Sequence, residues 1–274
     1  MALLNAVAAL HALTIQLAAQ QASYRFPPDD TLRYREITEG QIRMRPPLPP
    51  GAVTLKTLHD AKVALATEGG DTVTAWYDEL TLSVAGPEGN KQPPTNGALG
   101  LPFRLVVTPA GHVTTLSAPA FPTEIAILVD LSRQFEEFFI SLPPSALVPR
   151  ATWADTVENS TSGGFVYKYH TRHVRRYRAL RDTILPGGLA GVVIALEQQI
   201  TVRSSRRAPN APVTVHTRLQ GRETGTAVFA PAAARLISRA RRGQLEGEQV
   251  LSAEGRAITV PMSYQYSSRL AGIP

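Results

Sequence analysis

The sequence predicts a mainly β protein: a large curved antiparallel sheet, half-barrel-like and built of two similar halves, with one central amphipathic helix and an N-terminal apolar helix. Three observations predict it. Proline and glycine are numerous, 22 and 20 in 274 residues, and most stand between apolar runs, the pattern of many strands joined by turns. The runs alternate with period two, so successive side chains fall on opposite faces of a strand. One segment, residues 123–142, breaks that alternation and repeats its apolar residues every three or four positions.

Taken in order, residues 1–22 carry no charge, and the stretch Ala2 to Ala19 is apolar except at Asn5, His11, Thr14 and Gln16. A bilayer span needs about 20 such residues, with a lower limit near 17. The segment reads as a signal peptide, an apolar region followed by small residues, or as a retained N-terminal membrane anchor; a buried helix is the third alternative. The first two readings imply a membrane-associated or exported protein, and the signal-peptide reading an extracytoplasmic one, periplasmic or secreted. No basic residue precedes the apolar run, and "LAAQQA" lacks a clean A-x-A cleavage pattern.

Residues 23–274 form a single β-rich domain with halves 23–120 and 150–274, joined by helix 123–142. In the first half, 31–45 is one bent strand or a hairpin around Gly40. Four prolines in "RPPLPPG" end it, since proline donates no N–H to a ladder. Residues 53–68 and 71–86 are strands that turn at Gly69-Gly70. Residues 87–100 read as a loop by composition, and 103–119 as a hairpin turning at Pro109 to Gly111. In the helix, Leu128, Leu131, Phe135, Phe138 and Leu142 make the apolar stripe, Thr123 caps the start, and Pro143-Pro144 ends it. The second half holds strands at 165–181, 189–206, 213–230, 235–251 and 257–270.

Chemistry is bounded by what is missing. With no cysteine there is no disulfide, thiolate metal site, iron–sulfur cluster or thiol catalysis. His170 and His173 form H-x-x-H, but residues three apart on a strand face opposite ways, and five arginines between 172 and 181 repel a cation; the sequence implies no metal and no cofactor. There is no G-x-S-x-G elbow and no phosphate loop, so the reading is non-enzymatic. Basic residues interleaved with Tyr167, Tyr169 and Tyr177 suit nucleic acid, yet they spread over several strands without a recognised module, which argues against it.

What remains is charge. Residues 1–140 carry 10 Lys+Arg against 14 Asp+Glu, a balance of −4; residues 141–274 carry 18 against 8, a balance of +10. A one-sided basic field attracts anionic partners. The sequence therefore points to a binding protein that docks through its second half on an anionic membrane surface, or on an acidic face of a larger membrane-associated complex as an accessory subunit. The candidate docking residues are Arg172, Arg175, Arg176, Arg178, Arg181, Arg203, Arg206, Arg207, Arg239, Arg241 and Arg242. Because "KYHTRHVRRYRALR" (168–181) is polar on both faces, its distal part is expected to project into solvent or against a partner. The alternative is a carrier or sequestering protein for an apolar, lipid-like ligand held between sheet and helix, with Phe135, Phe138 and Phe139 lining the pocket.

The layout of long strands, a Phe-rich helix, then "LPPSALVPRATWADT" (142–156) with its LPP…P…TW element, then a strand meander, resembles uncharacterised secreted bacterial β-rich proteins. More distantly it resembles the half-barrel fold of the LolA/LppX-like lipoprotein carriers. That resemblance implies a sheet and helix lid around acyl chains. It transfers no functional residue, and the chain lacks the N-terminal cysteine of the lipoproteins among them.

Overall fold

A computed structural model describes residues 21–28, 30–47, 51–126, 129–163, 167–207, 213–253 and 255–273. Of the predicted N-terminal apolar segment, residues 1–22, residues 1–20 lie outside the described residues, while Gln21 forms a bridge with Ala146 and Ala22 is buried. Twelve strands follow one another: β1 (Thr31–Met44), β2 (Val53–Gly69), β3 (Thr72–Gly86), β4 (Gly89–Lys91), β5 (Phe103–Val107), β6 (Val113–Ser117), β7 (Thr152–Gly163), β8 (Tyr167–Ile184), β9 (Ala190–Arg207), β10 (Thr214–Ala230), β11 (Arg235–Ala253) and β12 (Arg256–Ile273). They form one antiparallel sheet in the order β6-β5-β3-β2-β1-β12-β11-β10-β9-β8-β7, with β4 attached to β3. The two halves of the chain thus meet in the β1–β12 ladder, where Glu36 lies opposite Leu270 and Thr38 opposite Ser268.

The sheet is rolled. Backbone N–H groups of the consecutive residues Tyr24 and Arg25 donate to Pro109 O, in the β5–β6 turn, and Ala234 O, in the β10–β11 turn. Five strand spacings separate β5 from β11, about 24 Å in a flat sheet. Two bonds from adjacent residues hold those turns within about 10 Å. Period two decides which side faces in: Leu32, Tyr34 and Glu36 of β1 are buried while Arg33 and Arg35 are exposed. Two inward glycines serve a further purpose. A Cβ on Gly40 would come within 2.7 Å of the Tyr264 ring, and one on Gly243 within 2.4 Å of the Tyr266 ring. Their absence lets the two stacked tyrosines, 5.1 Å apart, lie flat on the strands; β1 runs through Gly40 without turning.

The central helix is not formed as predicted. Residues 123–142 contain one helical turn, α1 (Thr123–Ala126), and a 3₁₀ turn, Leu131–Arg133, and continue as turns and extended chain; Leu128 lies outside the described residues. The physical reason is burial on all sides. Every residue from Phe138 to Pro143 is buried, so no solvent-facing stripe is needed. Tertiary partners take the backbone hydrogen bonds that a helix would have kept. Arg239 donates to the carbonyls of Glu137 and Phe138, Tyr24 to Ile140 O, Trp153 Nε1 to Ser141 O at 2.9 Å, and Leu142 N to Ala110 O at 2.9 Å. The segment fills the roll as a plug.

Two more segments differ from the sequence reading. The 87–100 loop is pinned down: it holds β4, and a 3₁₀ turn (Asn96–Ala98) buries Ala98 while Thr95 Oγ1 donates to Leu80 O at 2.6 Å. β7 is an additional edge strand, in register with β8 from Thr152↔Arg178 to Gly163↔Tyr167, and its polar composition hides its period.

Candidate functional surface

The second-half arginines divide by strand parity into an inner and an outer set. On β8, Thr171, His173, Arg175, Tyr177 and Ala179 are buried, whereas Arg172, Arg176 and Arg178 are exposed. Register carries the division across the sheet. Arg175 stands opposite Gln198, Gln198 opposite Glu223, and Glu223 opposite Gly243, all facing inward. Arg239 and Arg241 of β11 share that inner face.

Three of the candidate docking residues are therefore unavailable to an outside partner, which corrects the sequence reading. Arg175 and Arg239 are 5% and 3% exposed. Arg175 donates to Glu137 at 3.0 Å and to Gln198 at 3.2 Å; Arg241 reaches Glu137 at 3.3 Å and Glu223 at 3.7 Å; Arg239 pairs with Glu36 at 3.0 Å. His173 Nδ1 lies 2.8 Å from Glu137 Oε1. Glu36 also accepts from Ser268 at 3.1 Å and from Gln134 at 2.5 Å, and Glu223 from Gln198 at 2.7 Å and from the Tyr266 hydroxyl. This network ties the plug, through Gln134 and Glu137, to six strands of the sheet, β1 and β8–β12. It also explains how β8 can be polar on both faces and still cross the interior, where the sequence reading expected its distal part to project into solvent or against a partner.

The electrostatics are those of paired buried charge. Burial works against the Glu137 carboxylate, yet His173, Arg175 and Arg241 outweigh it and hold its pKa well below the ordinary glutamate range. Glu36 is likewise lowered, burial being outweighed by Arg239, His59, Arg241 and the Ser268 hydroxyl. Burial, with Glu223 beside it, raises the Tyr266 phenol.

Phe135, Phe138 and Phe139 are 1%, 1% and 4% exposed. They pack edge-on or tilted against Phe103 (4.8 Å), Tyr34 (5.4 Å) and Tyr24 (4.9 Å), respectively. They are the core of the plug and belong to one packed cluster with the first-half strands, which corrects their assignment to a ligand pocket.

The outer set is Arg172, Arg176, Arg178, Arg181, Arg203, Arg207 and Arg242, all exposed. Arg206, in register with the buried Val215, reaches solvent at the end of β9. Register adds outer residues that sequence reasoning missed. His170, Arg203, Arg218 and Glu248 stand in one row across β8–β11, with Lys168, Ser205 and His216 in the next row. The missed signal was the period-two alternation of β10 itself, His216, Arg218, Gln220, Arg222. Among the described residues, one outer cation of this half forms an ion pair, Arg172 with Glu158 at 2.8 Å. In the first half Arg33, Arg35, Lys62, Lys91 and Arg104 each have a carboxylate partner.

No family model matches the chain, and no curated protein matches it. Solved structures similar to it include lipovitellin, from a study of its lipid–protein interactions, at 14% identity and a TM-score of 0.46, covering 91% of this chain and 26% of that one. The chain thus spans about a quarter of the lipovitellin chain it matches. A mutant porin of Rh. blastica is 8% identical over 87% of this chain and 100% of its own (TM-score 0.24), and Pseudomonas aeruginosa OccK2 is 6% identical over 91% and 100% (TM-score 0.22). With TM-scores under 0.5, none of the three carries an argument about what this chain binds, and what is established is a mainly β protein built on one large open antiparallel sheet.

Proposed function

We propose that this chain is a non-enzymatic, extracytoplasmic binding protein that docks on an anionic membrane surface through the outer face of β8–β11. One observation carries the reading: among the described residues the basic side chains of that face other than Arg172 form no ion pair with a carboxylate, while most of those on the first half are neutralised by neighbours. A broad sheet face with uncompensated guanidinium groups complements lipid phosphates, and each basic residue near such a surface contributes about 1 kcal/mol. Sedimentation with anionic vesicles across a salt series tests it. Reversing Arg172, Arg176 and Arg178 to Glu together should weaken binding by about a hundredfold, and 0.5 M salt should abolish it. Binding that ignores both salt and the reversal defeats the reading.

A second reading has its own observation. The inward residues of the distal half of the sheet, Ile42, Met44, Val53, Leu55, Leu251, Met262 and Tyr264, are apolar and only half-buried, beyond the plug. A carrier of the half-barrel kind would hold an apolar ligand there, away from Phe135, Phe138 and Phe139. Solvent extraction of the purified protein followed by mass spectrometry decides: a stoichiometric lipid supports it, and an empty extract removes it.

A further inference from the structure

Register alone brings a set of phosphate-binding groups together on the outer face. His170, Arg203 and Arg218 lie side by side across β8, β9 and β10, and Lys168, Ser205 and His216 fill the adjacent row. These residues, with Ser160 of β7, line one open cleft of about 720 Å³. Ser160 Oγ lies 2.9 Å from His170 Nδ1, which leaves the Nε2 side of that ring for the cleft. The carboxylate at its rim is Glu248, in register with Arg218. Among the described residues no ion pair involves Lys168, Arg203 or Arg218.

The arrangement costs stability as it stands. Like charges directly opposite one another on neighbouring strands repel, and Arg203 and Arg218 are register partners. Arg35, whose register partner on β2 is Lys62, is compensated by two bonds of 3.0 and 2.8 Å to Asp60, whereas among the described residues no ion pair compensates Arg203 or Arg218. Two guanidinium forks, an ammonium, two imidazoles and two hydroxyls converging on one cleft supply the donors that a tetrahedral dianion accepts from.

We infer that this cleft binds the phosphate of a phosphate monoester. The guanidinium forks of Arg203 and Arg218 take two of its oxygens, Lys168 balances the second charge, and the hydroxyls of Ser160 and Ser205 donate at the margin. The cleft is large enough to seat the group that carries the phosphate as well. This site does not depend on the membrane-docking reading, because it takes the same group from a lipid or from solution.

Calorimetric titration of the full chain with inorganic phosphate is the first arm. Saturable binding is expected, weakened about tenfold by Arg203→Gln and again by Arg218→Gln, with Arg178→Gln outside the cleft as an unchanged control. All three residues are exposed, so the variants should fold, with Arg178→Gln keeping the thermal midpoint of the parent protein and Arg203→Gln or Arg218→Gln keeping or slightly raising it. Vesicles form the second arm, comparing phosphatidic acid, a monoester, with phosphatidylglycerol, a diester, at equal surface charge. A preference for phosphatidic acid that R203Q/R218Q removes identifies a lipid-borne ligand; phosphate binding without that preference identifies a soluble one. A phosphate titration that does not saturate, or one that both variants leave unchanged, overturns the inference. Phosphatidylglycerol binding that survives such a failure leaves the docking reading standing.

Discussion

The two halves of this sheet carry basic residues on the same outward parity and treat them differently. On β1, β2 and β5 most outward cations pair with a carboxylate of another strand, as in Arg35–Asp60, Lys62–Glu79 and Arg104–Glu68, with Arg43 and Lys56 the exceptions among the described residues. On β8–β11, among the described residues, one outward cation, Arg172, forms an ion pair, with Glu158; Arg176 and Arg218 have Glu197 and Glu248 as register partners but form none. Within the second half the same residue type divides again, since Arg175 and Arg176 are chain neighbours with opposite environments. The first sits among Glu137, Gln198 and Tyr177, and the second points to solvent. Charge in this protein is structural where it faces in, mostly compensated where it faces out on the first half, and mostly uncompensated where it faces out on the second. The docking surface proposed above lies at that last position.

The comparison can be broken most forcefully from the inside. Glu137→Ala leaves Arg175 and Arg241 buried with a lost partner, and unfolding stability should fall by about 3–5 kcal/mol, read as a drop in the urea midpoint. Arg176→Ala, one residue from Arg175, should change it by less than about 0.5 kcal/mol. Equal losses would erase the distinction between inner and outer sets.

Acid sharpens the same contrast. Glu137 and Glu36 have folded-state pKa values below the unfolded range of about 4.3, so their contribution is complete above that range and disappears as pH falls through the lowered values. The urea midpoint should be level from about pH 7 to 5 and fall steeply below about pH 4. Glu137→Gln should flatten that acid limb; an unchanged limb would place the titration elsewhere.

The smallest effect belongs to the compensated surface. Arg35→Ala removes a bidentate but exposed pair with Asp60 and should cost about 0–1 kcal/mol. Vesicle binding should remain within about twofold of the parent, where the Arg172, Arg176 and Arg178 reversal loses far more. A large loss of vesicle binding on Arg35→Ala would mean that the first half also faces the partner.

Much of the strand layout was legible because alternation and Pro/Gly punctuation are local signals. The helix misled because a Phe-rich repeat every three or four residues is the same string whether it packs as one helical face or as a chain buried on all sides. Arg239, which replaces the helical bonds at Glu137 and Phe138, is about 100 residues away in sequence. The candidate surface was half legible for the same reason. Arg172, Arg176 and Arg178 announce themselves on one strand, but Arg218 and His216 join them only through the β9–β10 register.

By itself the sequence determined a β-rich chain, the excess of positive charge in its second half and the absence of thiol chemistry, since these follow from composition and short-range periodicity. Only the tertiary structure decided which arginines are buried. Parity assigns a residue to one of two faces, and rolling the sheet around the plug makes one of those faces the inside.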